Sequence, residues 1–179
     1  MIAALLGSLE SSGLATWLRA SLYAFPLIES FHVLGLTMVF GTIAIVDLRL
    51  LGLASVRRPF AAVASDLTSW TWAAFALTVS TGMLMFSTNA VAYSQNVQFR
   101  IKMALLVLAG INLMAFHATA GRSVQRWNTE KAAPLAGRLT GGFSLLLWIA
   151  VIFLGRWVGF TRGTDVTPDI EMIIDLNRF

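Results

Sequence analysis

The segment LIESFHVLGLTMVFGTIAIV, residues 27–46, decides the fold of this chain. Its length and apolar character are what an α-helix needs to cross the ~30 Å hydrocarbon layer of a membrane. Three further segments of the same kind follow, at residues 70–91, 101–118 and 139–160. The sequence therefore predicts an all-α protein, a polytopic membrane four-helix bundle that forms a single integral membrane domain over residues 1–179.

The composition agrees with a membrane protein and excludes several classes of function. Hydrophobic residues make up 57% of the chain and charged residues only 12%, whereas soluble domains carry about 25% charged residues. There is no cysteine, so disulfides, thiolate metal sites and cysteine redox chemistry are excluded. The net charge of +4 comes from basic residues that flank the apolar segments. We therefore expect the lipid bilayer as a partner and no nucleic acid.

The basic residues predict how the chain crosses the membrane. They concentrate in the connections after the first and third segments: Arg49, Arg57, Arg58, Arg122, Arg126, Lys131 and Arg138. Short connections rich in Lys and Arg stay in the cytoplasm. The pattern indicates a multi-pass protein of the bacterial inner membrane with both termini in the periplasm.

Short helices are expected near both termini. Ser11 or Ser12 is placed to cap a helix over residues 13–23 that lies on the outer surface, and Pro26 to open the first span. The N-terminal segment lacks the basic start and the cleavage site of a signal peptide, so we expect it to be retained. A last amphipathic helix is expected to begin at Thr167 and to pack either on the bundle or on a partner.

The two histidines, His32 and His117, are the leading candidates for cofactor and metal binding. Each lies in an apolar segment, where an ionisable side chain is costly and usually faces the interior of a bundle. His32 is near the outer end of the first segment, and His117 is near the inner end of the third. We therefore expect two separate sites, one in each half of the membrane.

Lys102 is expected at the level of His32. It opens the third segment, about 22 Å from His117 at ~1.5 Å per residue. Lys102 and His117 lie on one helical stripe, with three apolar residues between them: Leu106, Ala109 and Leu113. Glu29 lies one turn before His32 and is placed to orient its imidazole or to pair with Lys102.

Further polar and sulfur-containing side chains complete the set of candidates. Arg156 is placed to hold a carboxylate such as a haem propionate, and Met83 and Met85 are soft axial ligands. Asp47 and Arg49 are expected to pair with each other or with loop charges. Structural alternatives stay open: the basic side chains snorkel to the head groups, the methionines fill the core, and His117 is a solvated helix end.

Two segments resemble a known family. The first consists of FHVLG (31–35) with DLRL (47–50), and the second consists of FRIKMALL (99–106) with FH (116–117) and GR (121–122). Both are similar to helices of the HemJ-type protoporphyrinogen oxidases and the related CopD-like membrane proteins. The resemblance implies that a b-type haem binds at His32 and Lys102.

These observations favour an inner-membrane protein that binds haem b, in one or two copies. We expect it to work in electron transfer, with a redox partner protein on the outer side, or as a small haem-dependent membrane oxidoreductase. The alternative is a non-redox protein, either a copper or solute permease or a membrane anchor subunit, in which the histidines and methionines bind metal transiently. The sequence leaves the oligomeric state open, a homo-oligomer included.

Overall fold

A computed structural model describes residues 2–161, and its regular structure is helical. The helices in this range are α1 (Ile2–Glu10), α2 (Gly13–Ala20), α3 (Ala24–Leu51), α4 (Phe60–Ser87), α5 (Ala90–Gln95), α6 (Val97–Ala118), α7 (Val124–Trp127) and α8 (Leu135–Thr161). A 3₁₀ turn, Ala120–Ser123, joins α6 to α7. The helix expected from Thr167 lies outside the described residues.

Among the described residues, three stretches are long and apolar enough to cross a membrane: Ala24–Leu51, Val97–Trp127 and Leu135–Phe160. The described part of the chain is therefore all-helical, with helices of the length and composition that membrane proteins have. The remaining long helix, α4, has as many residues as α3. Its serines and threonines make it less apolar, so its composition alone does not confirm the predicted fourth span.

The second long helix is displaced from the predicted 70–91. It begins at Phe60, because Pro59 provides the helix start, and it ends at Ser87. The chain then forms α5 and turns at Asn96, whose backbone is extended. The Asn96 side chain accepts a hydrogen bond of 2.9 Å from the Phe99 amide and so caps α6. Asn96 therefore ends one helix and starts the next within a polar stretch, residues 94–98.

The N-terminal segment confirms one expected cap and adds a helix that was not expected. Ser12 caps α2 by accepting a hydrogen bond of 3.3 Å from the Ala15 amide. The preceding α1 packs on α5, where the Glu10 carboxylate accepts a hydrogen bond of 3.1 Å from the Val91 amide. Arg19 donates a hydrogen bond of 2.7 Å to the Thr88 carbonyl. These bonds fix the N-terminal helices to the connection between α4 and α6.

The long helices pack in a defined order. Within residues 2–161, α3 packs along both α4 and α8, and α6 packs along α8, whereas α4 and α6 are not closely packed along their length. A core of Val39, Ala74, Trp148 and Val151 holds α3, α4 and α8 together. We call the two ends of this bundle the His32 end and the Arg49 end, after residues near the start and the finish of α3.

Aromatic pairs bring α4 and α6 together at both ends. At the His32 end the rings of Phe86 and Phe99 stack with their centroids 5.5 Å apart. At the Arg49 end the rings of Phe60 and Phe116 meet at 5.9 Å. Aromatic side chains therefore link α4 to α6 at both ends of the bundle.

Candidate functional site

His32 is held by α4 through one of its ring nitrogens. Its Nδ1 lies 3.0 Å from the Thr78 carbonyl oxygen and 3.1 Å from the Thr81 hydroxyl. A carbonyl oxygen can only accept, so Nδ1 carries the proton and donates it. In the neutral ring the Nε2 lone pair is then left available. Histidines that bind a metal commonly have their other ring nitrogen fixed by a backbone carbonyl in this way.

Small residues allow the imidazole to approach α4 closely. A Cβ atom at Gly82 would lie 3.1 Å from His32 Cε1. One turn further along α3, a Cβ atom at Gly35 would lie 2.6 Å from the Thr78 hydroxyl and 3.3 Å from the Ala74 carbonyl. The position of the ring therefore depends on two glycines, one on each helix.

Lys102 enters the same half of the bundle from the start of α6. Its side chain is half-buried, and its Cδ atom lies 3.8 Å from where a Cβ at Gly155 of α8 would be. Its Nζ atom lies 5.3 Å from the centroid of the Phe99 ring. His32 and Lys102 are close enough to interact electrostatically. The expected placement of these two residues in one half of the membrane protein is thus found.

Glu29 and Arg156 occupy a different surface. Both line a groove between α3 and α8 that His32 does not line. The orienting partners of His32 are Thr78 and Thr81, which corrects the role expected for Glu29. Glu29 retains only an electrostatic influence on the imidazole. The structure therefore separates the sequence candidates into the His32–Lys102 site and this groove.

His117 lies at the opposite end of α6. Its side chain is exposed, and its ring makes an edge contact with Phe116 at 5.5 Å between centroids. The stripe that begins with Lys102 is half-buried at its start, but Leu113 and His117 are exposed. The stripe therefore turns away from the bundle along its length, and the two histidines share no site within one chain.

The methionine candidates differ in burial. Met83 is 68% exposed, whereas Met85 is half-buried.

Within residues 2–161 no group of three or more His, Cys, Asp or Glu side chains is gathered as a metal-ligand cluster.

Arg49 contradicts the expected pairing with Asp47. Its guanidinium is fully buried and donates to four backbone carbonyls, at 3.0 Å (Arg58), 3.2 Å (Lys131), 3.3 Å (Asn128) and 2.9 Å (Glu130). Asp47 points elsewhere, because residues two apart lie on different sides of a helix. Its carboxyl group lies beside Ser144 of α8, and its Oδ2 atom is buried without a hydrogen-bond partner in the described part of the chain.

Sequence reasoning missed the α4 residues that hold His32. Thr71, Thr78 and Thr81 recur at helical spacing on one side of α4, with Gly82 beside them. That spacing indicates a polar stripe on α4 that faces another helix. It was not recognised because threonine hydroxyls also bond to their own helix, as Thr78 does to the Ala74 carbonyl at 2.8 Å.

The comparisons with known proteins place the chain in a family without giving it an activity. No curated protein and no solved structure matches the chain. The model of one family, described as a family of unknown function and named DUF6644, matches residues 14–161. That range runs from the start of α2 to the end of α8 and includes His32, Lys102 and both connections at the Arg49 end. On this match, the chain belongs to the DUF6644 family of unknown function.

Proposed function

We propose that this protein binds one haem b in the His32 half of its bundle and acts in electron transfer or as a small membrane oxidoreductase. The observation that carries the proposal is the hydrogen bond from His32 Nδ1 to the Thr78 carbonyl, 3.0 Å long. It fixes the tautomer in which Nε2 would be the atom that holds the haem iron. When bound, the haem would supply the one-electron chemistry.

The surrounding residues have separate tasks in this proposal. Thr78 and Thr81 orient the imidazole, and Gly82 leaves room for it against α4. Lys102 is the candidate second ligand, or the cation that meets a propionate, because it enters from another helix and has no ion-pair partner among residues 2–161. The low dielectric of the bundle would set the redox potential.

The proposal includes four spans in the bacterial inner membrane. With 28 residues, α4 is about 42 Å long at ~1.5 Å per residue, which exceeds the ~30 Å hydrocarbon layer. It lies along α3, one of the three apolar spans. The connections at the Arg49 end carry the basic residues, so this end faces the cytoplasm and the His32 end faces the periplasm.

The absorption spectrum of the purified protein tests the proposal. We expect a b-type spectrum, with one haem per chain by pyridine haemochrome assay, that His32→Ala abolishes. His117→Ala is the matched control, because it removes the other histidine of the chain from an exposed position at the far end of α6, and it should keep full haem content. A Lys102→Ala variant that retains haem with an altered ligand-field spectrum would identify the second ligand.

Two outcomes would overturn the proposal. A colourless protein after expression with ample haem would favour the non-redox reading, a permease or an anchor subunit. Haem that survives His32→Ala and is lost in His117→Ala would move the site to the Arg49 end.

A further inference from the structure

A groove of about 650 Å³ runs between α3 and α8 at the His32 end. Both polar and apolar residues line it: Pro26, Glu29, Ser30, Val33, Leu34, Thr37 and Arg156. The volume is within the ~300–1,000 Å³ of pockets that bind small molecules. It suffices for a lipid head group and the beginning of its acyl chains.

The order of the lining residues along α3 matches an amphiphile. Glu29 and Ser30 lie near the start of the helix, and Val33 and Leu34 follow one turn deeper. Arg156 comes from the last turns of α8 and faces the same groove. The charged residues of the groove are therefore at the His32 end of the bundle, and Val33 and Leu34 lie further along α3, followed by Thr37, whose hydroxyl donates to the Val33 carbonyl of its own helix.

The groove presents one negative and one positive side chain that do not pair with each other. The ion pair found among residues 2–161 is Arg58–Asp66, at the other end of the protein. Arg156 is steadied instead by Phe160, whose ring centroid lies 5.0 Å from the guanidinium carbon. Opposite charges kept apart at the edge of a groove are complementary to a ligand that carries both signs.

We propose that this groove binds one zwitterionic phospholipid whose head group combines a phosphodiester with a primary ammonium, as in phosphatidylethanolamine. Arg156 donates hydrogen bonds to the phosphate oxygens, and Glu29 accepts hydrogen bonds from the ammonium group. Val33 and Leu34 contact the first methylene groups. The proposal does not depend on haem, because His32 does not line the groove.

The charge arrangement predicts a selectivity among lipids. The quaternary ammonium of phosphatidylcholine has no N–H group to donate to Glu29. Phosphatidylglycerol has no ammonium at all and brings a negative charge next to the same carboxylate. Phosphatidylethanolamine is therefore the preferred ligand of the three.

Native mass spectrometry of the full-length protein, titrated with the three lipids carrying identical acyl chains, tests this selectivity. We expect one phosphatidylethanolamine per chain, bound about tenfold more tightly than the other two because a charge-assisted hydrogen bond is gained. Arg156→Gln should weaken all three lipids, and Glu29→Gln should abolish the preference and favour phosphatidylglycerol. Arg138→Gln and Glu130→Gln, exposed residues at the Arg49 end, are matched controls that should change nothing.

Three results would overturn the assignment. Equal binding of the three lipids, or binding unaffected by Arg156→Gln and Glu29→Gln, would show that the groove selects no head group. A preference of the unmodified protein for phosphatidylglycerol would show an anion site. Loss of haem content in Arg156→Gln with unchanged lipid binding would assign Arg156 to a propionate.

Discussion

Arg49 at one end of the bundle and three charged side chains at the other end, those of Glu29, Lys102 and Arg156, differ in how the chain satisfies them. At the Arg49 end, a fully buried guanidinium donates to four backbone carbonyls. At the His32 end, Glu29, Lys102 and Arg156 form no ion pair with the described residues. His32 itself uses one ring nitrogen toward α4.

This difference separates structural from functional polar groups. Buried polar groups that the chain satisfies by itself hold the fold together, and removing one partner leaves the others unsatisfied. Groups that the fold positions but does not pair are available to a ligand. We therefore read Arg49 as a structural cap of the bundle, and we propose that His32, Lys102, Glu29 and Arg156 belong to its binding region.

The largest effect is expected from Arg49→Leu. The substitution removes the guanidinium donor from four carbonyls, of which that of Asn128 still accepts from the Phe60 amide. With three acceptors left unsatisfied, the free energy of unfolding should fall by about 3 kcal/mol or more. Denaturant titration of the detergent-solubilised protein measures this change. Arg58→Ala is the control, because it breaks an exposed ion pair worth at most about 1 kcal/mol. A loss in Arg49→Leu no larger than in this control would contradict the structural role of the cap.

The contact of α3 with α4 should be the next most sensitive feature. A methyl group at Gly35 would lie 2.6 Å from the Thr78 hydroxyl and 3.3 Å from a backbone carbonyl. Gly35→Ala should therefore cost about 1–3 kcal/mol of unfolding free energy through overpacking. Gly41→Ala, on the same helix with nothing within 4 Å of the added atom, should cost none. Equal effects of the two substitutions would mean that this close packing is absent.

Gly82→Ala should affect the site more than the fold. Its Cβ would lie 3.1 Å from His32 Cε1, so the imidazole must move by a few tenths of an ångström. We expect lower haem occupancy or a shifted Soret band, with a stability change of about 1 kcal/mol or less. Gly110→Ala, which meets no neighbour within 4 Å, is the spectroscopic control. An unchanged spectrum in Gly82→Ala would argue against His32 as the ligand.

The smallest effect is expected from Thr71→Val. It removes a hydrogen bond of 2.9 Å from the Thr71 hydroxyl to that of Thr42 on α3. Hydrogen bonds between membrane helices contribute on average about 0.6 kcal/mol, and unfolding measurements should detect a loss of this size. Thr37→Val is the comparison, because the Thr37 hydroxyl bonds to Val33 of its own helix. A loss no greater than in Thr37→Val would show that this bond adds nothing between the helices.

Much of the helical framework could be predicted from the sequence. The apolar segments around residues 27–46, 101–118 and 139–160 are helices that could cross a membrane, and Ser12 caps α2 as expected. The boundaries were less predictable, because Pro59 and Asn96 set the starts of α4 and α6 outside the most apolar segments. Helix length and composition are local properties, whereas the end of a helix depends on a few polar contacts.

The candidate site could be predicted only in part. His32 and Lys102 stand out because each is an ionisable group in an apolar segment, and depth alone brings them to one end and leaves His117 at the other. Which side of α3 faces which neighbour could not be inferred from depth. Glu29 was expected to orient His32 or to pair with Lys102 because it lies one turn before the histidine, whereas it lines the groove with Arg156.

The sequence by itself determined that this chain is built of membrane-type helices, since a run of apolar residues needs no partner to specify a helix that can span lipid. Only the tertiary structure decided what each polar side chain meets. The carbonyls of Asn128, Glu130 and Lys131 that satisfy Arg49 lie 79 to 82 residues away along the chain, and Thr78, which orients His32, lies 46 residues away. Hydrogen bonds act over about 3 Å, so partners that are distant in sequence become known only once the helices are packed.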